Sequence, residues 1–521
     1  MSTNSSSKRV GFILASIHTG SSIEMWTRLA ENALQENGAF FIFPGGRLHT
    51  MPTPDTPRNA IYSLANKENI DGLISWASSI GGAVSLDDLT SFHDAFSFLP
   101  TVTIGQKIKD LPLVAFNAYD GMKELVEHFI NVHGARRIAF LRGPANHTSA
   151  EDRFRAFEDV AVKVGLGEYL NKLVSDNFAW SDGGKAIEQL CVERGLLPGR
   201  DFDTVIAASD MMAFSAVEWL ESKGYKVPGD VKVGGFNDSV ESRVTTIPFS
   251  TVHMPYEEMG LAAHRMIKGL LSEETPADCS LATYKVVRES CGCNNFKSWI
   301  ATSELHVHAK TQQQLLEELI DAFRPCNENT VSALEKLVRN LFENNQNEFF
   351  AVLTEALTSY FERGREISKL FVAENILRNA NCLPQEYLDR ILRGVHVIIP
   401  QVQGRVAARR QFEAAHIGGI LSALKGKLLS VHDRESLAKI LAQYLPQVGI
   451  RNAAIILNES KELSKHICSF NDAGEIHLDE TVFANQLLVP EAYKREYDYG
   501  VYVVQPLFIE NQSLGYLICG Y

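Results

Sequence analysis

The sequence has no apolar run near the roughly 20 residues that a transmembrane helix needs. Met1–Lys8 also has no apolar core that would make it a signal peptide. The chain therefore reads as cytoplasmic, with no membrane partner. Cysteine is scarce: eight in 521 residues do not make a disulfide framework. Cys191, Cys382, Cys468 and Cys519 stand in apolar or helical stretches and read as buried thiols. Cys291-Gly292-Cys293 is distinctive, but a metal site needs more ligands than this pair supplies, so no metal is expected. Positive charge is in deficit. The net charge of −13 repels phosphate backbones, so this chain alone is not expected to bind DNA directly. No Ser/His/Asp set, carboxylate pair or metal cluster stands at usable spacing, and the chain does not read as an enzyme. No cofactor is expected either, because Gly20-Ser21-Ser22 and Gly81-Gly82 are isolated turn residues rather than phosphate loops.

What is present is length and pattern. A chain of 521 residues, 45% hydrophobic and 22% charged, is too long for one core and suggests about three or four domains. From Arg9 onward, short apolar runs alternate with helical-period segments. The runs are Val10–Leu14, Phe40–Phe43, Gly72–Ser75, Thr101–Ile104, Ile138–Leu141, Thr204–Ala207 and Val231–Gly234. Helical-period segments such as Ile23–Asn37, Gly121–His133, Ala150–Val164 and Met211–Lys223 separate them. Such alternation predicts α/β architecture with parallel sheets. So many units exceed one comfortable sheet, so two lobes are expected. In such folds ligands sit beyond the carboxyl ends of the strands.

After Cys293 the pattern changes. From Ala301 to Gln411 no strand is evident, and helical stretches run over Thr311–Phe323, Thr330–Asn344, Asn347–Arg365 and Glu366–Ala380, punctuated by Pro384 and Pro400. Residues 300–430 read as a helical connector ending in a signalling helix, Val402–Leu429. Its apolar stripe of Val402, Val406, Phe412, Ile417, Ile420, Leu421, Leu424 and Leu428 must pack on the connector, on the C-terminal unit or on a second copy of itself; a homodimer through this helix is predicted, against a monomer with the stripe folded inward. Arg405, Arg409 and Arg410 read as a solvated face. Residues 433–521 read as an α+β unit: a helix over Glu435–Leu445, a strand over Ala453–Leu457, a turn at Asn471–Gly474, then strands over Val501–Phe508 and Leu514–Cys519.

The residues that follow the strands carry the binding chemistry. A small polar ligand needs converging polar groups and an aromatic face. Asp120 opens a helix and reads either as its N-cap or as a ligand contact. Ser149 and Arg153 open the next; the Arg fork suits hydroxyls or a carboxylate, or else an inter-lobe salt bridge. Trp180 suits stacking on a sugar face, or core packing. Ser209 follows the Val205–Ala208 run and is oriented to the cleft, with Asp210 as the helix cap. Asn237 and Asp238 follow a Gly-rich strand end and are also ordinary turn residues. Ser16 and His18 stand in the loop after the first strand, His18 as a polar contact rather than a base.

Together, several strings resemble the effector domain of the lactose-repressor (LacI/GalR) family in order and spacing. They are Asn69–Ile74, Gly134–Gly143, Val205–Ala213, Gly224–Asp238 and Ile247–Val252. The resemblance covers residues 8–295. It implies a type I periplasmic-binding-protein-like fold, two α/β lobes joined by three crossovers with a sugar or sugar-like ligand at the hinge. The family's inducer contacts carry over onto Asp120, Ser149, Arg153, Trp180, Ser209 and Asn237. Ser209 stands where the family often has Asn, and Asn237 where it usually has Asp. Losing that acceptor-only carboxylate puts a plain hexose in doubt. The repressors carry about sixty residues of helix-turn-helix and hinge before this domain, whereas only Met1–Lys8 precede the first strand here. Residues 433–521 are similar to GAF sensory domains through Gln505-Pro506-Leu507 and Leu514-Gly515-Tyr516-Leu517. Such a domain continues into a last helix, so the chain is expected to extend past Tyr521. The resemblance implies a ligand-sensing regulatory protein that relays to a C-terminal or partner output. The competing reading is a transcription regulator whose DNA-binding part lies outside this chain, and an enzyme is the remote one.

Overall fold

The computed structural model describes residues 8–49, 51, 53, 56–145, 147–167, 170–293, 311–323, 328–364 and 367–521. Met1–Ser7, the start of the expected connector at 301–310, and the expected helix ends at Arg365 and Glu366 lie outside the described residues. The chain forms two compact units. One joins residues 1–292 with 423–521, and the other is 293–422.

In the first unit, β1 (Arg9–Leu14), β2 (Ala39–Pro44), β3 (Gly72–Ser75), β4 (Thr101–Ile104) and β5 (Leu113–Phe116) are parallel neighbours in the order β5-β4-β3-β1-β2. β6 (Ile138–Leu141), β7 (Thr204–Ala207) and β8 (Lys232–Gly234) form a second parallel sheet. Both sheets are covered by helices, which is why their strands are continuous apolar runs rather than alternating ones. β9 (Thr251–His253) pairs antiparallel with β11 (Tyr284–Val286), while β10 (Cys279–Leu281) returns to the first sheet beside β5. The chain therefore passes between lobes at Asn117, at Met254–Pro255 and at Ala282–Thr283. These are the α/β lobes that the run pattern predicts. The strand-like stretch Lys172–Ser175 differs: it is the end of a helical turn, Leu170–Leu173, followed by a single bridge from Val174 to Phe140.

The C-terminal segment departs from the expected separate domain. Its strands β12 (Asn452–Asn458), β13 (Leu463–Phe470), β14 (Ile476–His477), β15 (Val482–Ala484), β16 (Gly500–Ile509) and β17 (Gln512–Gly520) are antiparallel to one another. β16, however, pairs in parallel with β2, in register from Gly500↔Ala39 to Val503↔Ile42, making one twelve-stranded sheet. An open β2 edge would expose unpaired backbone groups, and β16 satisfies them. The two segments also share one core. Phe41 stacks on Tyr502 at 5.2 Å, and Tyr62, Ile70 and Ile61 pack with Tyr497, Val504, Tyr516 and Ile518. Buried Asn69 donates to the Gln486 carbonyl (2.8 Å) and accepts from the Leu488 amide (3.0 Å).

The second unit is helical, with helices Gln312–Ala322, Glu328–Phe342, Gln346–Glu362 and Ser368–Arg378. The helix Gln385–Leu428 begins immediately after Pro384 but runs through Pro400, where the sequence suggests a break. Proline there removes an N–H at a cost of about 3 kcal/mol. Buried Ile399, Val402 and Val406, packed with Phe349, Leu357 and Phe361, hold the helix together. Of the expected stripe, Val402, Val406, Ile420 and Leu424 are buried, whereas Phe412, Ile417, Leu421 and Leu428 are exposed. No helix among the described residues is long and apolar enough to cross a membrane.

Candidate functional site

A cleft of about 550 Å³ opens between the two parallel sheets of the first unit. The loops after β1, β2 and β3 supply Ser16, Arg47, Trp76 and Ser78, and the loops after β6, β7 and β8 supply His147, Ser209 and Asn237. Arg153 and Trp180 complete that wall. Ser16, Arg47, Trp76, His147, Ser209 and Asn237 follow strands of the two sheets, as the switch-point geometry requires.

Arg153 dominates the electrostatics. It is 4% exposed, lies face-on to the Phe236 ring at 3.7 Å and stands 5.5 Å from the Trp180 ring. One Nη donates to the Ala208 carbonyl at 2.5 Å, while Nε has no hydrogen-bond partner. Among the described residues no carboxylate lies within salt-bridge distance of it, so the inter-lobe ion pair is not formed. Burial draws its guanidinium down to about 10, still charged at neutral pH. An unpaired buried cation is costly, and this one borders a cavity. His147, edge-on to Trp180 at 5.1 Å, is held neutral, its imidazole pushed down to about 4 by burial and by Arg153. Its Nδ1 and the Ser239 hydroxyl, both on the cleft wall, are also buried without partners. Buried polar groups are nearly always satisfied, so this clustering marks where a ligand's polar atoms belong.

The structure brings Ser16, Arg153, Trp180, Ser209 and Asn237 onto one cleft and leaves three candidates off it. Asp120 is exposed in the first turn of helix Ala118–His133. The cap is Asn117, whose side chain accepts from the Asp120 amide at 3.0 Å and donates to the Asp120 carboxylate at 2.6 Å. His18 is exposed, its amide donating to Ser16 Oγ at 3.2 Å. Ser149 is buried behind the wall, its hydroxyl unpartnered. Ser209 lines the cleft as expected but also takes the cap expected of Asp210. Ser209 Oγ caps its helix by accepting from the Met212 amide (3.2 Å). Asp210 instead accepts from Thr251 Oγ1 (2.5 Å) and the Ser239 amide (2.8 Å), and burial lifts its carboxyl to about 6.

Behind Asn237 lies a buried charge network. Asn237 and Asp238 both have left-handed φ, +123° and +55°. Asp238 pairs with Arg288, with Arg243 (3.1 Å) and with His253 (2.9 Å). Burial alone would raise the Asp238 carboxyl. Arg288, His253 and Arg243 more than offset it and hold the group well below the usual carboxylate range. Sequence reasoning missed this network, and it missed His147, Arg47, Arg58 and Tyr256 on the cleft. The available signal was position: His147 follows the Ile138–Leu141 run, and Arg47 follows Phe40–Phe43.

Residues 126–291 match the family described as periplasmic binding protein-like domain. The regulator CelR of Thermobifida fusca is 30% identical over 190 residues, 36% of this chain and 54% of CelR. The repressor PurR of Mannheimia succiniciproducens is 25% identical over 263 residues, 50% of this chain and 73% of PurR. The ribose operon repressor of Bacillus subtilis is 24% identical over 277 residues, 53% and 77%. A solved CelR–cellobiose complex aligns with a TM-score of 0.46 at 24% identity, covering 54% of this chain and 84% of that one. The chain spans about half the length of CelR. Residues 126–291 are thus similar to a periplasmic binding protein-like domain, and the curated relatives of this part of the chain are described as a transcriptional regulator and repressors.

Proposed function

We propose that this chain is a non-enzymatic cytoplasmic sensor that binds a carbohydrate-like small molecule bearing an acidic group in the interlobe cleft. The observation that carries this reading is Arg153, a buried guanidinium with an unpartnered donor at a cavity that Arg47 and Arg58 also line. Asn237 in place of a carboxylate removes a negative group that would repel such a ligand, and Trp180 offers a ring face for its carbons. Lobe closure on the ligand would be relayed through the GAF-like C-terminal segment, whose β16 pairs with β2 of one lobe. Thermal unfolding of the full chain against neutral sugars, sugar acids and sugar phosphates tests the ligand class. The acidic members are expected to stabilise, by about 2.7 kcal/mol at a hundredfold excess over Kd, and the neutral ones not. Stabilisation by a neutral sugar alone would overturn the acidic-ligand reading.

The second reading, a transcription regulator in the manner of its relatives, is favoured by their common description. The two readings share the cleft and differ in output. We also propose a homodimer through Phe412, Ile417, Leu421 and Leu428, the exposed face of helix Gln385–Leu428, where Gly404, Gly418, Gly419 and Gly426 leave open space for a close second helix. Sedimentation of the intact chain at micromolar concentration, with and without duplex DNA, addresses both. A dimer is expected, dissociated by Leu421→Glu and Phe412→Glu together, with no salt-sensitive DNA binding. A monomer removes the dimer proposal, and tight DNA binding by this chain favours the second reading.

A further inference from the structure

The Cys291-Gly292-Cys293 pair supplies too few ligands in sequence, but the fold adds to it. Cys291 Sγ lies 3.5 Å from His128 Nε2, and the His128 and His133 rings are 5.1 Å apart at the end of helix Ala118–His133. One ligating atom from each of His128, His133, Cys291 and Cys293 falls within 4.8 Å of all the others. Tetrahedral zinc, with bonds of about 2.0–2.3 Å to nitrogen and sulfur, sets its ligand atoms roughly 3.3–3.8 Å apart, so the observed set needs only a small contraction. Gly292, at φ +91°, turns the chain between the two cysteines, and its amide donates to the Glu289 carbonyl at 2.8 Å.

We propose that His128, His133, Cys291 and Cys293 form a structural zinc site. It would tie the segment that ends the ligand-binding domain to the helix that starts at the first interlobe crossover. Both imidazoles are suited to metal. Burial, then His133 and Lys285, push His128 down to about 4, and burial, then Lys232, lowers His133, so neither is protonated at neutral pH. Cys291 is fully buried and inaccessible as a surface thiol. Two thiolates neutralise a divalent ion. A closed Cys2His2 set with no open position is structural rather than catalytic. The site stands apart from the cleft and holds whatever the ligand proves to be.

The test uses the full chain, purified reduced from zinc-supplemented medium, for elemental analysis. It is then stripped with a chelator and titrated with Co(II) and Zn(II). About one zinc per chain is expected, with a 1:1 Co(II) titration showing the intense visible bands of a tetrahedral site and thiolate-to-cobalt charge transfer. Cys293→Ser, at a half-buried position that does not endanger folding, and His133→Gln should each weaken zinc binding at least roughly tenfold and reduce the charge-transfer band. Cys191→Ser should change neither. Thermal unfolding confirms that each variant is folded. Wild-type protein without stoichiometric zinc and without the cobalt spectrum would overturn the proposal. So would folded Cys293→Ser and His133→Gln variants that bind zinc as tightly as wild type, or a Cys291–Cys293 disulfide in place of metal.

Discussion

Replacing Arg153 by Met should weaken binding of the acidic ligand roughly a hundredfold or more while leaving the unliganded protein at least as stable as wild type. The two effects have different origins. Binding loses charge-assisted hydrogen bonds worth about 1.5–3 kcal/mol each, and about 3 kcal/mol is a hundredfold. Unliganded stability loses one bond, from Nη to the Ala208 carbonyl, and the contact of the guanidinium with Phe236. It also sheds the desolvation of a cation that no carboxylate pairs with directly, Asp210 and Asp152 acting on it only at longer range. Methionine keeps most of the side-chain volume against Phe236 and Trp180, so no cavity opens. Calorimetric titration with the best ligand of the panel, beside denaturant unfolding without it, reads both quantities. A variant that binds as wild type would show that Arg153 is structural. One that loses several kcal/mol of stability without ligand would show that the guanidinium is satisfied by the fold itself.

Arg288→Met should have the opposite signature, a large loss of stability whether or not ligand is present. Arg288 is 3% exposed, donates to the Phe249 carbonyl at 2.9 Å and pairs with Asp238. Removing one partner of a buried pair leaves an uncompensated charge at a cost of about 3–5 kcal/mol. Arg243 and His253 remain on Asp238 and place the expectation near the lower end. The double change Asp238→Asn with Arg288→Met should cost less than the sum of the two single changes, since each single change strands the other group. Acidity gives a second readout. The carboxyl of Asp238 is depressed in the fold, so its contribution is intact at neutral pH and is lost only as pH falls below the ordinary Asp range. In Arg288→Met that depression is partly relieved, so the deficit relative to wild type should shrink as pH falls through the ordinary Asp range and be smaller near pH 2.5 than at pH 7. A constant deficit across that interval would mean that the loss arises from packing rather than from the stranded carboxylate.

Particular residues show how far each kind of information reaches. The Val10–Leu14, Phe40–Phe43 and Thr204–Ala207 runs are strands, and the polar residues after them are the cleft walls. Strand ends of parallel sheets point to one side, so position in sequence already implies position at the site. Ser16, Ser209 and Asn237 were legible for that reason, whereas Arg153, in the second turn of its helix, and Trp180, after a stretch that is no strand, rested on the resemblance. Asp120 and His18 carry the same kind of signal yet face solvent, because a side chain at a helix start has several directions open to it and Asn117 takes the cap.

Hydropathy pattern and turn chemistry by themselves determined where strands and helices lie, the α/β character of residues 9–286, the helical character of the described residues between 312 and 428, and the strands after 452. Tertiary structure alone decided that β16 adds to the β2 edge more than 450 residues away, that Asp238 meets Arg288, and that His128 and His133 stand beside Cys291. The physical reason is the same in each case. Periodicity reports whether a residue faces an interior, because burial is a property of its own segment. Which distant segment supplies the paired strand, the opposite charge or the further ligand is set by packing the segments together, and neither spacing nor composition encodes that choice locally.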